Sequence, residues 1–185
     1  MPNTVAAGTS NESTAPHLRK AILSDLDTIG SLIERAIDVN QRGFLDATQI
    51  AQSRAIMGLD TQLVLDGTYY LVEIGVALAA CGGWSRRKTL YGHNQSADRS
   101  DALLAPGRDA ARIRAMYTDP HFVRRGMGRI ILNACEAAAR TEGFDRLELV
   151  ATLAGEPLYL AAGFTPGERF FDNDVPLLRM SKTLP

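Results

Sequence analysis

Residues 119–132, DPHFVRRGMGRIIL, indicate both the fold and the site of this protein. Arg124 and Arg125 stand directly before Gly126 and Gly128, and a helical pattern of apolar residues begins at once. The first amides of a helix lack intrahelical partners and carry partial positive charge. Glycine has no Cβ to keep a ligand away from the backbone. The stretch therefore predicts a site for an anionic group, although a tight turn with exposed arginines would explain the same residues.

Two common phosphate-binding patterns do not fit this stretch. The P-loop requires Gly-Lys followed by Ser or Thr, and the sequence has no such motif. The dinucleotide pattern requires Gly or Ala at position 131, which is Ile131. In that pattern the glycines also follow a strand directly, whereas here they follow a turn that contains Pro120. The anion is therefore not predicted to be held by a P-loop or a Rossmann turn.

The sequence on either side predicts one domain of mixed α/β (α+β) class, with helices on both faces of a single sheet. Helices are predicted at residues 25–38, at 46–58, after Gly126 and, as a short helix, up to Gly163. Strands are predicted as a pair within 68–84 and in the segments ARIRAMYTDP, DRLELV, FTPGERFF and VPLLRMSKTL. Residues 85–110 are polar and rich in turn residues, and a connection of this length is usually functional or mobile.

Composition sets limits on the class of protein. A chain of 185 residues suits one domain, and a formal net charge of −1 argues against nucleic acid or an anionic membrane as a partner. No apolar run is long enough to span a bilayer. Residues 1–16 lack the features of a signal peptide and are predicted to be a flexible leader before a domain at 17–185. Cys81 and Cys135 match no metal or redox pattern, so we expect reduced core residues in a cytoplasmic protein.

The opening stretch resembles the acyl-CoA signature of the GNAT superfamily of N-acetyltransferases. In that signature a strand is followed by Pro and then by the pattern Arg/Gln-x-x-Gly-x-Gly/Ala, in which x is any residue. A helix begins within this pattern. Pro120, Gly126 and Gly128 have this spacing, with Val123 where the family has Arg or Gln. YLAAGF, residues 159–164, is similar to a second family element, with Thr152 at the position where the family usually has Asn.

This resemblance implies a GNAT-like domain whose mostly antiparallel central sheet is splayed into a V. It implies acetyl-CoA as co-substrate and no metal. Pantetheine would bond to the strand at Met116 and Thr118, the pyrophosphate would bind the amides of residues 124–129, and Tyr159 would protonate the departing thiolate. The implied cofactor-binding residues are Met116, Tyr117, Thr118, Arg124, Arg125, Gly126, Met127, Gly128 and Arg129.

Acetyl transfer to an amine also requires removal of a proton and stabilisation of an oxyanion. A strand N–H near residue 116 could stabilise the oxyanion. Glu73 is the first candidate for the base, because a carboxylate within YYLVEIGV is unusual unless it is used or paired. A Glu at a strand end facing solvent would explain the same pattern. His93 lies in the irregular loop, and Glu148 could simply face a neighbouring strand.

The acceptor side has weaker signals. Arg112 and Arg114 share one face of a strand that the GNAT-like fold places centrally, so they should bind an acidic acceptor or pair with carboxylates such as Glu73. Trp84 is a candidate wall of the acceptor pocket or a structural residue. Residues 85–110 would form a lid over that pocket.

The leading hypothesis is an N-acetyltransferase that moves acetyl from acetyl-CoA to a primary amine by direct attack in a ternary complex. A small-molecule amine is favoured over a protein, with no nucleic acid and no membrane as partner, and a homodimer is compatible with the sequence. One alternative is a non-catalytic module that binds or senses CoA or acyl-CoA. Another is a structural protein whose glycine turn serves only packing.

Overall fold

The computed structural model describes residues 15–96 and 99–185. Residues 1–14 of the predicted leader therefore lie outside the described residues. The strands are β1 Pro16–Lys20, β2 Tyr69–Ile74, β3 Ala77–Ser85, β4 Ala111–Thr118, β5 Arg146–Thr152, β6 Thr165–Asp172 and β7 Val175–Thr183. The helices are α1 Leu26–Asn40, α2 Ala47–Ser53, α3 Thr61–Leu65, α4 Met127–Thr141 and α5 Glu156–Ala161.

Most of the predicted elements are present. The strand pair is confirmed as β2 and β3, and the helix after Gly126 is confirmed as α4. The helix predicted over residues 46–58 is present as α2, but its predicted end is wrong, because α2 ends at Ser53. Ile56 lies in a buried cluster together with Leu177, so tertiary packing competes with continuation of the helix. This packing partner is distant in sequence, and the local pattern does not reveal it.

The seven strands form one sheet in the order β1-β2-β3-β4-β5-β7-β6. All neighbours are antiparallel except β4 and β5. This parallel pair is joined only at Ala111 with Leu147 and at Arg112 with Glu148. Beyond Arg112 the two strands separate, so the sheet is splayed into the predicted V at its centre.

Helices cover both faces of the sheet. The apolar stripe of α4, including Ile131 and Leu132, is buried in the main core. The stripe of α1, including Ile29 and Leu32, is buried in a second cluster on the other face. Both cysteines are reduced and buried. None of the helices in residues 15–96 and 99–185 has the length and apolarity needed to cross a membrane.

Candidate active site

A cleft of about 680 Å³, partly open to solvent, lies where β4 and β5 separate. Strands β4, β5 and β7, the segment after α2, the 85–110 loop and the start of α5 contribute to its wall. The lining residues are Ile56, Met57, Leu90, Tyr91, Gly92, Ile113, Arg114, Ala115, Met116, Tyr117, Val150, Ala151, Thr152, Gly155, Tyr159 and Leu177.

A β-bulge in β4 shapes one wall of this cleft. On the two sides of the bulge, Gly83 pairs with Arg114 and Cys81 pairs with Tyr117. The single residue between them on β3 therefore faces two residues on β4, Ala115 and Met116. Ala115 has a φ of 51°, in the left-handed region. The Tyr69 hydroxyl donates to the Ala115 carbonyl at 2.9 Å and holds this backbone in place. The bulge takes backbone groups at residues 115–116 out of the ladder with β3, on the strand that lines the cleft.

Gly82 makes room for the bulge. A Cβ at this position would lie 2.3 Å from Met116 Sδ and 3.2 Å from Met116 Cα. Met116 packs against the main core, on the same face as α4. Tyr117, the next residue, packs on the opposite face, and its hydroxyl accepts the Gly58 N–H at 2.9 Å. The small residue on β3 therefore allows the irregular course of β4.

The start of α4 has the backbone of an anion site. Gly126 is the residue before the helix, with a φ of 86°, and Arg124 also has a positive φ of 62°. Arg124, Arg125 and Gly126 are exposed. The Ile130 N–H bonds back to the Gly126 carbonyl at 3.1 Å, whereas the amides of residues 124–129 have no backbone acceptor in the described part of the chain. These free amides and the exposed arginines fit a pyrophosphate.

The second glycine of the signature brings α4 close to α5. A Cβ on Gly128 would lie 3.0 Å from Leu158 Cδ2 and 3.7 Å from Thr118 Oγ1. The first turn of α4 therefore lies beside the last residue of β4. The predicted pantetheine strand and the predicted pyrophosphate site are neighbours in the structure.

Side chains of α1 hold the end of β4 and the residue after it in place. Asn40 Nδ2 donates to the Thr118 carbonyl at 2.7 Å, and Arg35 Nε donates to Asp119 Oδ2 at 2.9 Å. The Asp119 side chain also accepts the His121 N–H at 3.0 Å and caps the 3₁₀ turn Pro120–Phe122. These bonds fix the turn that leads from the cleft to the start of α4.

Tyr159 lies on α5 and lines the cleft, as a proton donor there would require. Its side chain is nearly buried, at 7% exposure, and its ring packs edge-on against Phe164 with centroids 5.7 Å apart. Burial raises the pKa of the Tyr159 phenol above its ordinary value. The hydroxyl therefore remains protonated at neutral pH and is able to donate a proton.

The structure does not bring Glu73 or Trp84 to the cleft. Glu73 lies on β2 at its junction with β1, where its Oε1 accepts from Arg19 Nη2 at 2.7 Å and from Arg19 Nε at 3.0 Å. The hydrogen bond from Arg19 holds the pKa of Glu73 below its usual value, which makes it a weak base. Trp84 is 2% exposed and packs edge-on against Phe144 in the main core. Glu73 is an ion-pair partner and Trp84 a core residue.

Each of the two arginines on β4 has a carboxylate partner, and neither partner is Glu73. Arg112 pairs with Glu148 on the adjoining strand. Arg114 lines the cleft, and its Nη2 lies 2.9 Å from Asp60 Oδ2. Asp60 was missed as a site residue because its sequence context is only that of a helix cap, a role it also has at the start of α3.

The 85–110 loop is fastened to α2 and α3 at several points. Arg87 pairs with Asp66, and Asn94 exchanges hydrogen bonds with Thr61. His93 Nε2 lies 3.0 Å from the Ala55 carbonyl oxygen. Residues 90–92 of this loop line the cleft. The described residues contain no group of three or more His, Cys, Asp or Glu side chains placed to hold a metal ion.

Comparison with known proteins agrees with this geometry. Residues 92–184, half of the chain, match the acetyltransferase (GNAT) domain family. The chain belongs to the GNAT acetyltransferase family. The GNAT fold supports acetyl transfer from acetyl-CoA. No curated protein sequence is significantly similar to this chain.

Solved GNAT structures share the fold at low sequence identity. A GCN5-related N-acetyltransferase from Rhodopseudomonas palustris is 17% identical with a TM-score of 0.68, over 96% of this chain and 100% of that one. YncA of Salmonella typhimurium, solved with acetyl-CoA, is 17% identical with a TM-score of 0.60, over 92% and 95% of the two chains. The PaiA N-acetyltransferase of Thermoplasma acidophilum, solved with coenzyme A, is 12% identical with a TM-score of 0.61, over 91% and 99%.

Proposed function

We propose that this GNAT protein is an acetyl-CoA-dependent N-acetyltransferase that acetylates a primary amine of a small molecule. The amine would attack the thioester directly while both substrates are bound. The observation that carries the proposal is the meeting of three features along one path. These are the bulged β4 backbone, the buried phenol of Tyr159, and the free amides at the start of α4.

The cofactor would lie along this path. The pyrophosphate would bind the amides of residues 124–129, with charge from the exposed Arg124 and Arg125. Pantetheine would hydrogen-bond the backbone of β4 from Met116 to Thr118, which β5 leaves open by separating after Arg112. Acetyl-CoA supplies the acetyl group as a thioester.

The residues of the cleft supply two of the three functions that the chemistry requires. The Met116 N–H, at the bulge, would stabilise negative charge on the thioester oxygen. Burial keeps the Tyr159 phenol protonated at neutral pH by raising its pKa, and Tyr159 would give this proton to the sulfur as the bond from carbon to sulfur breaks. The lining residues, all of them in the described part of the chain, include no carboxylate and no imidazole. We therefore propose that water takes the proton from the amine.

The shape of the cleft supports a small acceptor. Residues 90–92 of the loop and Ile56 and Met57 after α2 close its acceptor side. The loop is held to α3 by ion pairs and hydrogen bonds, so a wide groove for a folded protein would require these to break.

Two measurements test this proposal. Calorimetry with CoA tests the cofactor site, and thiol release from acetyl-CoA across a panel of amines tests catalysis. We expect binding in the micromolar range and acetylation of at least one small amine. Binding without any turnover would favour the CoA-sensing module. No binding at high micromolar CoA would refute both readings.

A further inference from the structure

Arg114 is the charged residue among those that line the cleft, and every other lining residue is neutral. Its side chain is 2% exposed and fixed in position. Nη2 donates to the Gly92 carbonyl at 2.9 Å and lies the same distance from Asp60 Oδ2, and Nη1 lies 3.4 Å from the Thr89 carbonyl oxygen. A fixed guanidinium in a cleft wall is well suited to bind a carboxylate.

The charge around Arg114 is not balanced. Asp60 lies between Arg114 and Arg99, whose Nη2 donates to Asp60 Oδ1 at 2.9 Å. One carboxylate between two guanidinium groups leaves a net positive charge in this cluster. Burial lowers the pKa of Arg114 although Asp60 opposes this effect, and Arg99 lowers it further. An anion brought into the cleft would therefore be stabilised, and a second cation would be repelled.

One part of the cleft wall is apolar. Ile56 and Leu177 belong to one buried cluster, and Val150 packs against it. All three line the cleft, together with Met57 and Leu90. This part of the wall suits an aliphatic or aromatic group.

We propose that the acceptor is an α-amino acid with an apolar side chain, whose carboxylate binds Arg114. The side chain would pack against Ile56, Val150 and Leu177. Arg114 and Met116 are two residues apart on β4, so a small molecule held by Arg114 through its carboxylate would present its amine near the Met116 N–H. The proposal rests on the N-acetyltransferase function proposed above.

The reaction would conserve atoms and charge as follows. The ammonium group of the free amino acid first loses one proton to water. The nitrogen then forms a bond to the acetyl carbon, and the bond from that carbon to sulfur breaks. Sulfur takes the phenolic proton of Tyr159 and leaves as the CoA thiol. The nitrogen releases its second proton, which restores Tyr159 through solvent, and the product is the N-acetylamino acid.

The test compares acceptors that differ in charge but not in the apolar group. Thiol release with the wild-type protein is measured for leucine, leucinamide and isopentylamine, and for the corresponding methionine and phenylalanine series. A charged hydrogen bond of this kind predicts that kcat/KM, calculated on the concentration of neutral amine, is roughly 10-fold to 100-fold higher for the amino acid than for its amide. Since an amino amide is the less basic amine, more of it is neutral at pH 7, so amine basicity acts against this preference.

The possible outcomes separate this proposal from the proposed function. Equal or higher kcat/KM for the amides and simple amines, calculated on the concentration of neutral amine, would overturn carboxylate recognition and leave the N-acetyltransferase function intact. If none of these compounds is acetylated, carboxylate recognition is overturned. If the same preparation also fails to bind CoA, the proposed function is overturned as well.

A matched pair of variants assigns the effect to Arg114. In Arg114→Gln the ratio of kcat/KM for leucine to that for leucinamide should fall to about one-tenth of its wild-type value or less. Arg112→Gln, on the same face of β4 but paired with Glu148, should keep the wild-type ratio. An unchanged ratio in folded Arg114→Gln would refute the assignment. If Arg114→Gln does not fold, the wild-type comparison of acids with amides decides the proposal.

Discussion

The cofactor site proposed at the start of α4 can be tested with a single charge at Gly126. This residue is exposed, has a φ of 86°, and no other residue would lie within 4 Å of an added Cβ. Any other residue there carries the left-handed backbone cost of about 1 to 2 kcal/mol. Gly126→Glu and Gly126→Gln share this cost and are nearly equal in size. The difference between them therefore isolates the effect of one negative charge.

The expected difference in CoA affinity follows from Coulomb's law. At about 5 Å and an effective dielectric constant of about 40, a carboxylate repels one phosphate charge by roughly 1.7 kcal/mol. Two pyrophosphate charges give about 3 kcal/mol, which corresponds to a roughly 100-fold higher Kd for Gly126→Glu than for Gly126→Gln.

Calorimetry with CoA measures this ratio, and thermal unfolding checks that both variants are folded. The ratio should shrink as salt is raised, because the Debye length falls from about 10 Å at 0.1 M to about 3 Å at 1 M ionic strength. If folded Gly126→Glu and Gly126→Gln bound CoA equally well at low salt, the start of α4 would not be the pyrophosphate site.

Three further predictions concern the cleft and its surroundings. Tyr159→Phe should lower kcat by ~10²-fold or less and leave the affinity for CoA unchanged. Because burial raises the pKa of the phenol, the alkaline limb of the pH–rate profile should keep its shape in this variant. Loss of that limb would assign it to Tyr159. Gly82→Ala places a Cβ 2.3 Å from Met116 Sδ, so kcat should fall more than the affinity for CoA, and a wild-type kcat would show that the bulge position does not matter. Glu73→Gln should leave kcat unchanged and cost at most about 1 kcal/mol at pH 7, because its pair with Arg19 is partly exposed. The pair lowers the pKa of Glu73 in the folded state, so this stabilisation is present above the ordinary value of 4.5 and is lost as the pH falls through the folded pKa. Urea unfolding at pH 7 and below pH 4 measures this change, and a large loss of kcat in Glu73→Gln would restore Glu73 as the base.

The two departures from the GNAT signature are compatible with the backbone of the site. Val123 is 38% exposed, and the free amides that follow it depend on the positive φ values at Arg124 and Gly126. The Thr152 hydroxyl accepts the Gly155 N–H at 3.3 Å, at the end of β5 where the chain turns towards α5. In both places the backbone geometry is present without the family's usual side chain.

The sequence by itself predicted the start of α4, the strand before it and the short helix that bears Tyr159. These features depend on interactions within a few residues, such as the free amides of a first helical turn and the positive φ that glycine tolerates at position 126. The pattern of Pro120, Gly126 and Gly128 therefore predicts the backbone of the proposed cofactor site almost completely.

The chemistry of the acceptor side was decided only by the tertiary structure. Glu73 and Trp84 had local patterns that suited a site, but their partners, Arg19 and Phe144, are far away in sequence. The partner of Arg114 is Asp60, and only the register between β3 and β4 reveals the bulge. Side-chain partners and strand register depend on which distant segments are packed together, and packing of this kind leaves no periodic trace in the sequence.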